Sequence, residues 1–278
     1  MAIVTISHQL GSGGNVIARA VADRLGYQCI GGEILAKAAQ VYGLAEDRLT
    51  RLGEAKPSVL DRLGLEAQTY IAVMQNAVLD AALADHVVLV GRGGQWLLRD
   101  IAHALRVRII APLDERIRRL QDGMATQVGG EASARTARDA LERLLRRDDA
   151  DKLGRMRYLY DCDLNDPLLY DVLINNRGAD GGAATEAIVS LAHRPGAEPT
   201  AASMQRLVDR AVASRVRVAL MVDERTRRFK HFDAEATNGS IRVTTRAPAA
   251  AVEAVARAVD GVRQVEVTEL PVIPMFSE

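Results

Sequence analysis

The chain has 278 residues, room for one α/β domain of about 200 residues and a small second unit. Its 36 basic residues balance 36 acidic ones and only 4% of residues are aromatic, which argues against a general nucleic-acid or anionic-membrane surface and against base stacking on rings. Cys29 and Cys162 lie too far apart for a disulfide framework or a zinc pattern, and no run reaches the roughly 20 apolar residues that span a bilayer, so a cytoplasmic chain is expected.

Ala2–Ser7 is a β-branched run that predicts a first strand, ended by a glycine-rich turn. Ile17, Ala18, Val21 and Leu25 recur at helical spacing from Asn15 on, with Gly26 placed to end the helix. A short strand is expected at Tyr27–Ile30 and a helix from near Glu33. Gly53, Pro57 and Gly64 break helical stretches over 44–64, and Leu65–Ala84 reads as one long helix. Val87–Val90 is wholly apolar, the pattern of a buried parallel strand, and it too runs into glycines, at 91, 93 and 94. Arg106–Ala111 is a further strand with a helix from Pro112 to Leu120. Residues 122–132 are glycine-rich, Ala134–Arg147 is a charged helix, Asp171–Asn175 a strand and Ala184–Leu191 a helix.

Strands alternating with helices over 2–192 predict a parallel sheet covered on both faces, with ligands at the carboxyl ends of its strands. His193–Thr200, with two prolines and a glycine, reads as a linker. Beyond it the expected order is a helix at Ala201–Ser214, strands at Val216–Val222 and Ser240–Thr245, a helix at Pro248–Val259 and a strand at Val262–Leu270. This makes a small α-β-β-α-β unit over 201–278 with a loose tail from Pro271. Arg225, Arg227, Arg228 and Lys230 are expected at a basic hairpin tip.

The candidate site is the turn Ser7-His8-Gln9-Leu10-Gly11-Ser12-Gly13-Gly14, followed by Asn15 at the helix start. Glycine-rich backbone after a strand aims several N–H groups at one point, and the helix end adds its positive pole, which together suit a phosphate. The familiar phosphate loop reads G-x-x-x-x-G-K-S/T. With Gly13 as its second glycine, this chain has His8 for the first glycine, Gly14 for the lysine and Asn15 for the magnesium-holding Ser or Thr.

Thr5–Gly14 resembles the opening of the cytidylate kinase-like family, whose loop reads I-S-R-Q-x-G-S-G-G and itself lacks the lysine. Val88–Gly94 with Leu97-Leu98-Arg99-Asp100, Ile110–Ile117, Asp163–Pro167 and Tyr170–Asn175 resemble further blocks of that family in the same order, covering about 2–190. The resemblance implies a P-loop nucleoside-monophosphate kinase fold: a parallel five-stranded α/β sheet flanked by helices, with a lid over about 122–160. It implies transfer of the ATP γ-phosphoryl group to CMP or dCMP with Mg2+, nucleotide contacts from Gly11, Ser12, Gly13, Gly14, Asn15 and Arg92, and catalytic lid cations Arg147, Lys152 and Arg157, beside Asp149. Lys152 stands where the family has an arginine, so it supplies charge without the bidentate fork.

The chain also departs from the family. Gly31 replaces an Asp, His8 replaces a loop arginine and Asn15 another, so the cations around a phosphate are fewer. Residues 201–270 resemble a BON domain through Asn238-Gly239-Ser240-Ile241 and Gly261-Val262, which implies contact with lipid, a protein or a second copy of the chain. Two further readings stay open beside the kinase: a catalytically inactive nucleotide-binding regulator, and an interaction protein whose α/β part is a scaffold.

Overall fold

The structure, a computed structural model, describes residues 3–42, 65–124, 131–178, 181–229 and 231–271. The expected helical stretches over 44–64, most of the glycine-rich run before 131, Lys230 and the tail from 272 lie outside these residues.

Five parallel strands form the main sheet: β1 (Ile3–His8), β2 (Gln28–Ile30), β3 (Val87–Val90), β4 (Ala104–Ile110) and β5 (Val172–Asn175), in the order β2-β3-β1-β4-β5. Alternation along β1 assigns its two faces. Val4 and Ile6 join Val88, Leu105, Val107 and Ile109 in one core, closed by Ile17 and Val21 of α1 (Gly14–Leu25) and by Ile188 of α7 (Gly182–Ala192). Ile3 and Leu89 face the other core, built by α2 (Ile34–Tyr42), α3 (Leu65–Leu83), α4 (Gly94–Leu97) and the C-terminal end of α6 (Glu131–Tyr160). α5 (Leu113–Met124) leans on α6 through Ile117, Leu141 and Leu145. The sheet is central because the strands that carry the loop, β1 and β3, are buried on both faces.

Gly26 ends α1 in the left-handed conformation at φ 68, and the Tyr27 N–H closes the turn on Ala22 O at 2.9 Å. A 3-10 turn at Pro167–Leu169, capped by Asp166, leads into β5.

A second sheet follows: β6 (Phe232–Thr237), β7 (Ser240–Thr245) and β8 (Gln264–Glu269), with β6 and β7 antiparallel across Asn238-Gly239 and β8 parallel to β7 through α9 (Ala249–Arg257). The turn needs positive φ at both residues, 50 at Asn238 and 81 at Gly239. The α-β-β-α-β order is as expected, but the first strand is not at Val216–Val222. Those residues continue α8 (Ala201–Val222), and the strand is β6.

The reason is burial on two sides of one helix. Leu207, Ala211 and Val218 enter the core of the main sheet, while Val212, Val216 and Leu220 enter the core of the small sheet. Two apolar stripes on one helix read as alternation, the mark of a strand. Polar contacts hold α8 to the main sheet: Ser203 Oγ to His103 Nδ1 at 2.8 Å, Arg215 to Asp80 at 2.6 Å, and Arg210 to Asp100 and Leu97 O. Arg225, Arg227 and Arg228, expected at a hairpin tip, lie instead in the turn between α8 and β6, where Arg225 pairs with Asp223 at 2.9 Å.

Candidate active site

β1 ends at the middle of the sheet, and the five residues from Gln9 to Gly13 carry the chain into α1. Gly11 (φ 77) and Gly13 (φ 84) are left-handed, and a Cβ at Gly11 would stand 2.9 Å from the carbonyl oxygen of Arg116. Gly13 caps α1 with no side-chain hydrogen bond. The N–H groups of the first turn are thus left for a ligand, reinforced by the helix dipole.

The lysine position explains itself sterically. A Cβ on Gly14 would lie 2.3 Å from Cβ and Cγ of His8, so the imidazole fills the room a loop side chain would take. Burial holds the His8 pKa below the usual imidazole value, aided by the charges of Lys152 and Arg108. Ser12 is fully buried: its hydroxyl donates to Gln9 O at 2.7 Å, and its carbonyl accepts from Asn176 Nδ2 at 2.8 Å and Arg119 Nη1 at 3.0 Å. It shapes the loop from inside.

Two clefts meet at this loop. The inner one, of about 750 Å3, is bounded by Ser7 and Arg108, by Gly31-Gly32-Glu33, by Gly91-Arg92-Gly93, by Tyr70 and Met74 of α3, and by Asp148, Asp151, Lys152 and Arg155 of α6. The outer one, of about 600 Å3, is bounded by Gly11, Gly13, Gly14, Val16, Arg118, Arg119, Asn176 and Gly178. His8, Leu10 and Asn15 line both. A group held at the loop therefore faces a compartment on either side.

Arg92 sits in a left-handed run, Gly91 at φ 72, Arg92 at φ 54 and Gly93 at φ 76. A non-glycine residue in that region is strained, and such strain concentrates at functional sites. The run is clamped by Gly91 N–H on Ile6 O at 2.9 Å and by the Tyr160 ring, whose Cε2 would meet a Cβ on Gly93 at 2.8 Å. Gly31 has no carboxylate of its own, but Glu33 Oε2 lies 3.5 Å from the place its Cβ would take, so a carboxylate reaches the region from two residues on.

Of the three lid cations named from the sequence, only Lys152 reaches a cleft. Its Nζ lies 3.4 Å from His8 O and 2.9 Å from Asp148. Arg147 is largely exposed beside Asp151 at 3.7 Å, and Arg157 beside Asp163 at 3.3 Å; neither lines a cleft. Asp149 serves elsewhere, receiving both Nη atoms of buried Arg116 at 2.6 and 2.9 Å, while Arg116 Nε donates to Leu10 O at 2.7 Å. Arg116 thus ties the loop to α6, and Arg119 ties it to Asn176 O at 2.7 Å.

Sequence reasoning passed over Arg108, Arg116, Arg119 and Arg155. For Arg108 a signal was present: in Ala104–Ile110 the buried apolar residues are interrupted on one face by Arg106 and Arg108. Arg106 is answered by Asp171 at 2.7 Å, on the next strand's entry. Arg108 is 4% exposed, donates to Ser7 Oγ at 2.7 Å, lies 6.0 Å from the centre of the Tyr170 ring, and has no carboxylate partner among the described residues.

The glycine cradle and the capless helix end fit a phosphate. A metal held by protein side chains fits less well: among the described residues no three His, Cys, Asp or Glu gather into a metal-binding group, and Asn15 stands at the Ser or Thr position. A magnesium ion that arrives on nucleotide phosphates needs only one or two carboxylates, and Asp148, Asp151 and Glu33 line the inner cleft. No helix among the described residues is long and apolar enough to cross a membrane.

A model of the family described as "Cytidylate kinase-like family" matches residues 3–177. The cytidylate kinase of Ignicoccus hospitalis is 26% identical over 194 residues, covering 68% of this chain and 97% of that one. The cytidylate kinase of Pyrobaculum aerophilum is 27% identical over 180 residues, covering 63% and 84%. Among solved structures, an uncharacterized protein from Eubacterium ventriosum shares the fold at a TM-score of 0.52 and 16% identity, covering 70% of this chain and all of that one.

Proposed function

Because the chain belongs to the cytidylate kinase-like family, we propose that it is a nucleoside-monophosphate kinase that moves the γ-phosphoryl group of ATP to CMP or dCMP. The observation that carries this reading is the loop shared by two clefts. A phosphate cradled at the Gly13–Gly14 helix end is reachable from the outer cleft by a donor and from the inner cleft by an acceptor. The outer cleft, with Arg118, Arg119 and Asn176, takes the nucleoside triphosphate; the inner one takes the monophosphate beside Arg92.

Phosphoryl transfer asks for alignment and positive charge more than covalent chemistry. Loop N–H groups, Arg92 and Lys152 supply these, and the His8 imidazole, kept neutral by burial, fills the loop without adding a cation. Magnesium, when bound with ATP, neutralises phosphate charge. The family resemblance names Arg147 and Arg157 for the lid. Both are exposed and weakly held, and each would serve only by swinging over the loop.

A second reading has its own support. Gly31 stands where the family has an Asp, and His8 and Asn15 stand where it has arginines, so fewer charged groups surround a phosphate, which favours a nucleotide-binding regulator with little turnover. The C-terminal unit, BON-like in order, would then be a contact surface for a protein, a lipid or a second copy. The test is a coupled assay with ATP and magnesium against CMP, dCMP, UMP and AMP, with ATP binding followed by calorimetry. CDP formation is expected; ATP binding without turnover on any monophosphate selects the regulator.

A further inference from the structure

We propose that Arg108 grips the phosphate group of the acceptor in the inner cleft, an inference that rests on the kinase reading and adds to it the residue on which the acceptor's anion is seated. The argument begins with an energetic oddity. A guanidinium taken out of water is costly unless a negative charge answers it. Arg108 is 4% exposed, on a strand whose neighbouring positions Val107 and Ile109 are fully buried, and its near partners are neutral: Ser7 Oγ and the Tyr170 ring. The carboxylate in electrostatic range, Asp149, is taken up by both Nη atoms of Arg116. Every other basic side chain bonded at the loop has an opposing charge or a carbonyl: Lys152 has Asp148 and His8 O, Arg116 has Asp149, Arg119 has Ser12 O and Asn176 O. Among the described cations bonded at the loop, Arg108 is the one with neither a carboxylate nor a carbonyl, and burial pulls its pKa below the usual arginine range.

Its position gives that charge a use. Register places Arg108 opposite Ser7, so the guanidinium lies one residue from His8, where the chain leaves the sheet for the loop. It lines the inner cleft and not the outer one. The lysine that a phosphate loop would project here is absent, and the room it would start from is closed by His8. A phosphate entering beside Arg92 meets Arg108 at the floor, where Nη1 already donates to Ser7 Oγ and the other N–H groups of the planar guanidinium are left to bond it. The adjacent strand thus provides what the loop cannot.

The competing role is a strut that holds Ser7 and Tyr170 together. Arg108→Met keeps the length and removes the charge. Binding of CMP, cytidine, ATP and inorganic pyrophosphate is measured by calorimetry on the full chain, with the ligand-free melting temperature recorded. At least a ten-fold loss of CMP affinity is expected, with ATP affinity and cytidine affinity within about two-fold, KM for CMP raised more than KM for ATP, and an unchanged or higher melting temperature, since a buried unanswered charge has been removed. CMP affinity within two-fold of the parent, or an equal loss for ATP, overturns the proposal, as does a lower melting temperature with binding kept. If Arg108→Met does not fold, Arg108→Lys decides: a several-fold loss confined to CMP supports the fork, and full CMP affinity refutes it. A parent chain that binds pyrophosphate through Arg108 but no monophosphate sinks the kinase reading and with it the acceptor role, and leaves Arg108 only as an anion-binding residue. A parent chain that binds neither sinks both.

Discussion

Replacing Asp149 by Ala isolates the tie between the loop and the lid helix. Arg116 is 2% exposed, donates twice to Asp149 and once to Leu10 O, and has its Cβ packed against Gly11. Removing the carboxylate leaves a buried guanidinium with one carbonyl. Breaking a buried pair costs about 3–5 kcal/mol, and because the Asp149 side chain is 33% exposed the low end, about 3 kcal/mol, is expected. In a chain of this size that lowers the melting temperature by about 6–12 °C. Arg116→Met strands a carboxylate that water already reaches, so its cost is about 1–2 kcal/mol, in the usual range for a core change. In the double variant nothing charged is stranded, and its loss falls short of the sum of the two single losses by about 2 kcal/mol. Urea melts of the four proteins give the coupling directly. Additivity within about 0.5 kcal/mol would mean that the pair does not bind α5 to α6, and the account of the loop's support would be wrong.

Two further outcomes follow from the loop and its neighbour. Gly93→Ala adds a left-handed penalty of about 1–2 kcal/mol and crowding against Tyr160 of about 1–3 kcal/mol, so it loses about 3 kcal/mol and weakens CMP binding by displacing Arg92. Gly32→Ala, with nothing within 4 Å and no positive φ, serves as the neutral control, and equal urea midpoints for the two would refute the clamp. His8 is held below its ordinary value of 6.5, so both states are neutral above it. Below pH 6.5 the unfolded chain takes the proton first and the folded protein loses stability as the pH falls towards the folded-state value. The parent should lose stability relative to His8→Gln between pH 7 and pH 5; parallel curves would show that the imidazole is not buried over Gly14.

Strands with a single local signal were readable because each does one thing. Val87–Val90 is apolar on both faces, and Ser240–Thr245 follows an Asn-Gly turn, so both were expected at their observed bounds. α8 was misread past Ser214 because it serves two cores at once. α4 was not foreseen, being a four-residue turn made by the glycines after β3 rather than by any periodicity. At the site, the glycines and Arg92 were legible as local pattern. Arg108 was not, because its meaning lies across the sheet, in Ser7 of one strand and in the absence of a carboxylate on the other. Arg147 and Arg157 were named because the family resemblance places charged lid residues there, and no such resemblance points to a charge inside the β4 strand.

The helix with two apolar stripes sets a limit on how this chain can be cut. The family's share ends at residue 177, yet the core it belongs to does not: Leu207, Ala211 and Val218 complete it from α8. A protein shortened after residue 200 would show the face of α3 that α8 covers to water, along with Asp80 stripped of Arg215 and His103 stripped of Ser203. An exposed apolar strip of that kind invites association. The C-terminal sheet is therefore a dependency of the fold: a chain that keeps α8 needs that sheet to cover Val212, Val216 and Leu220.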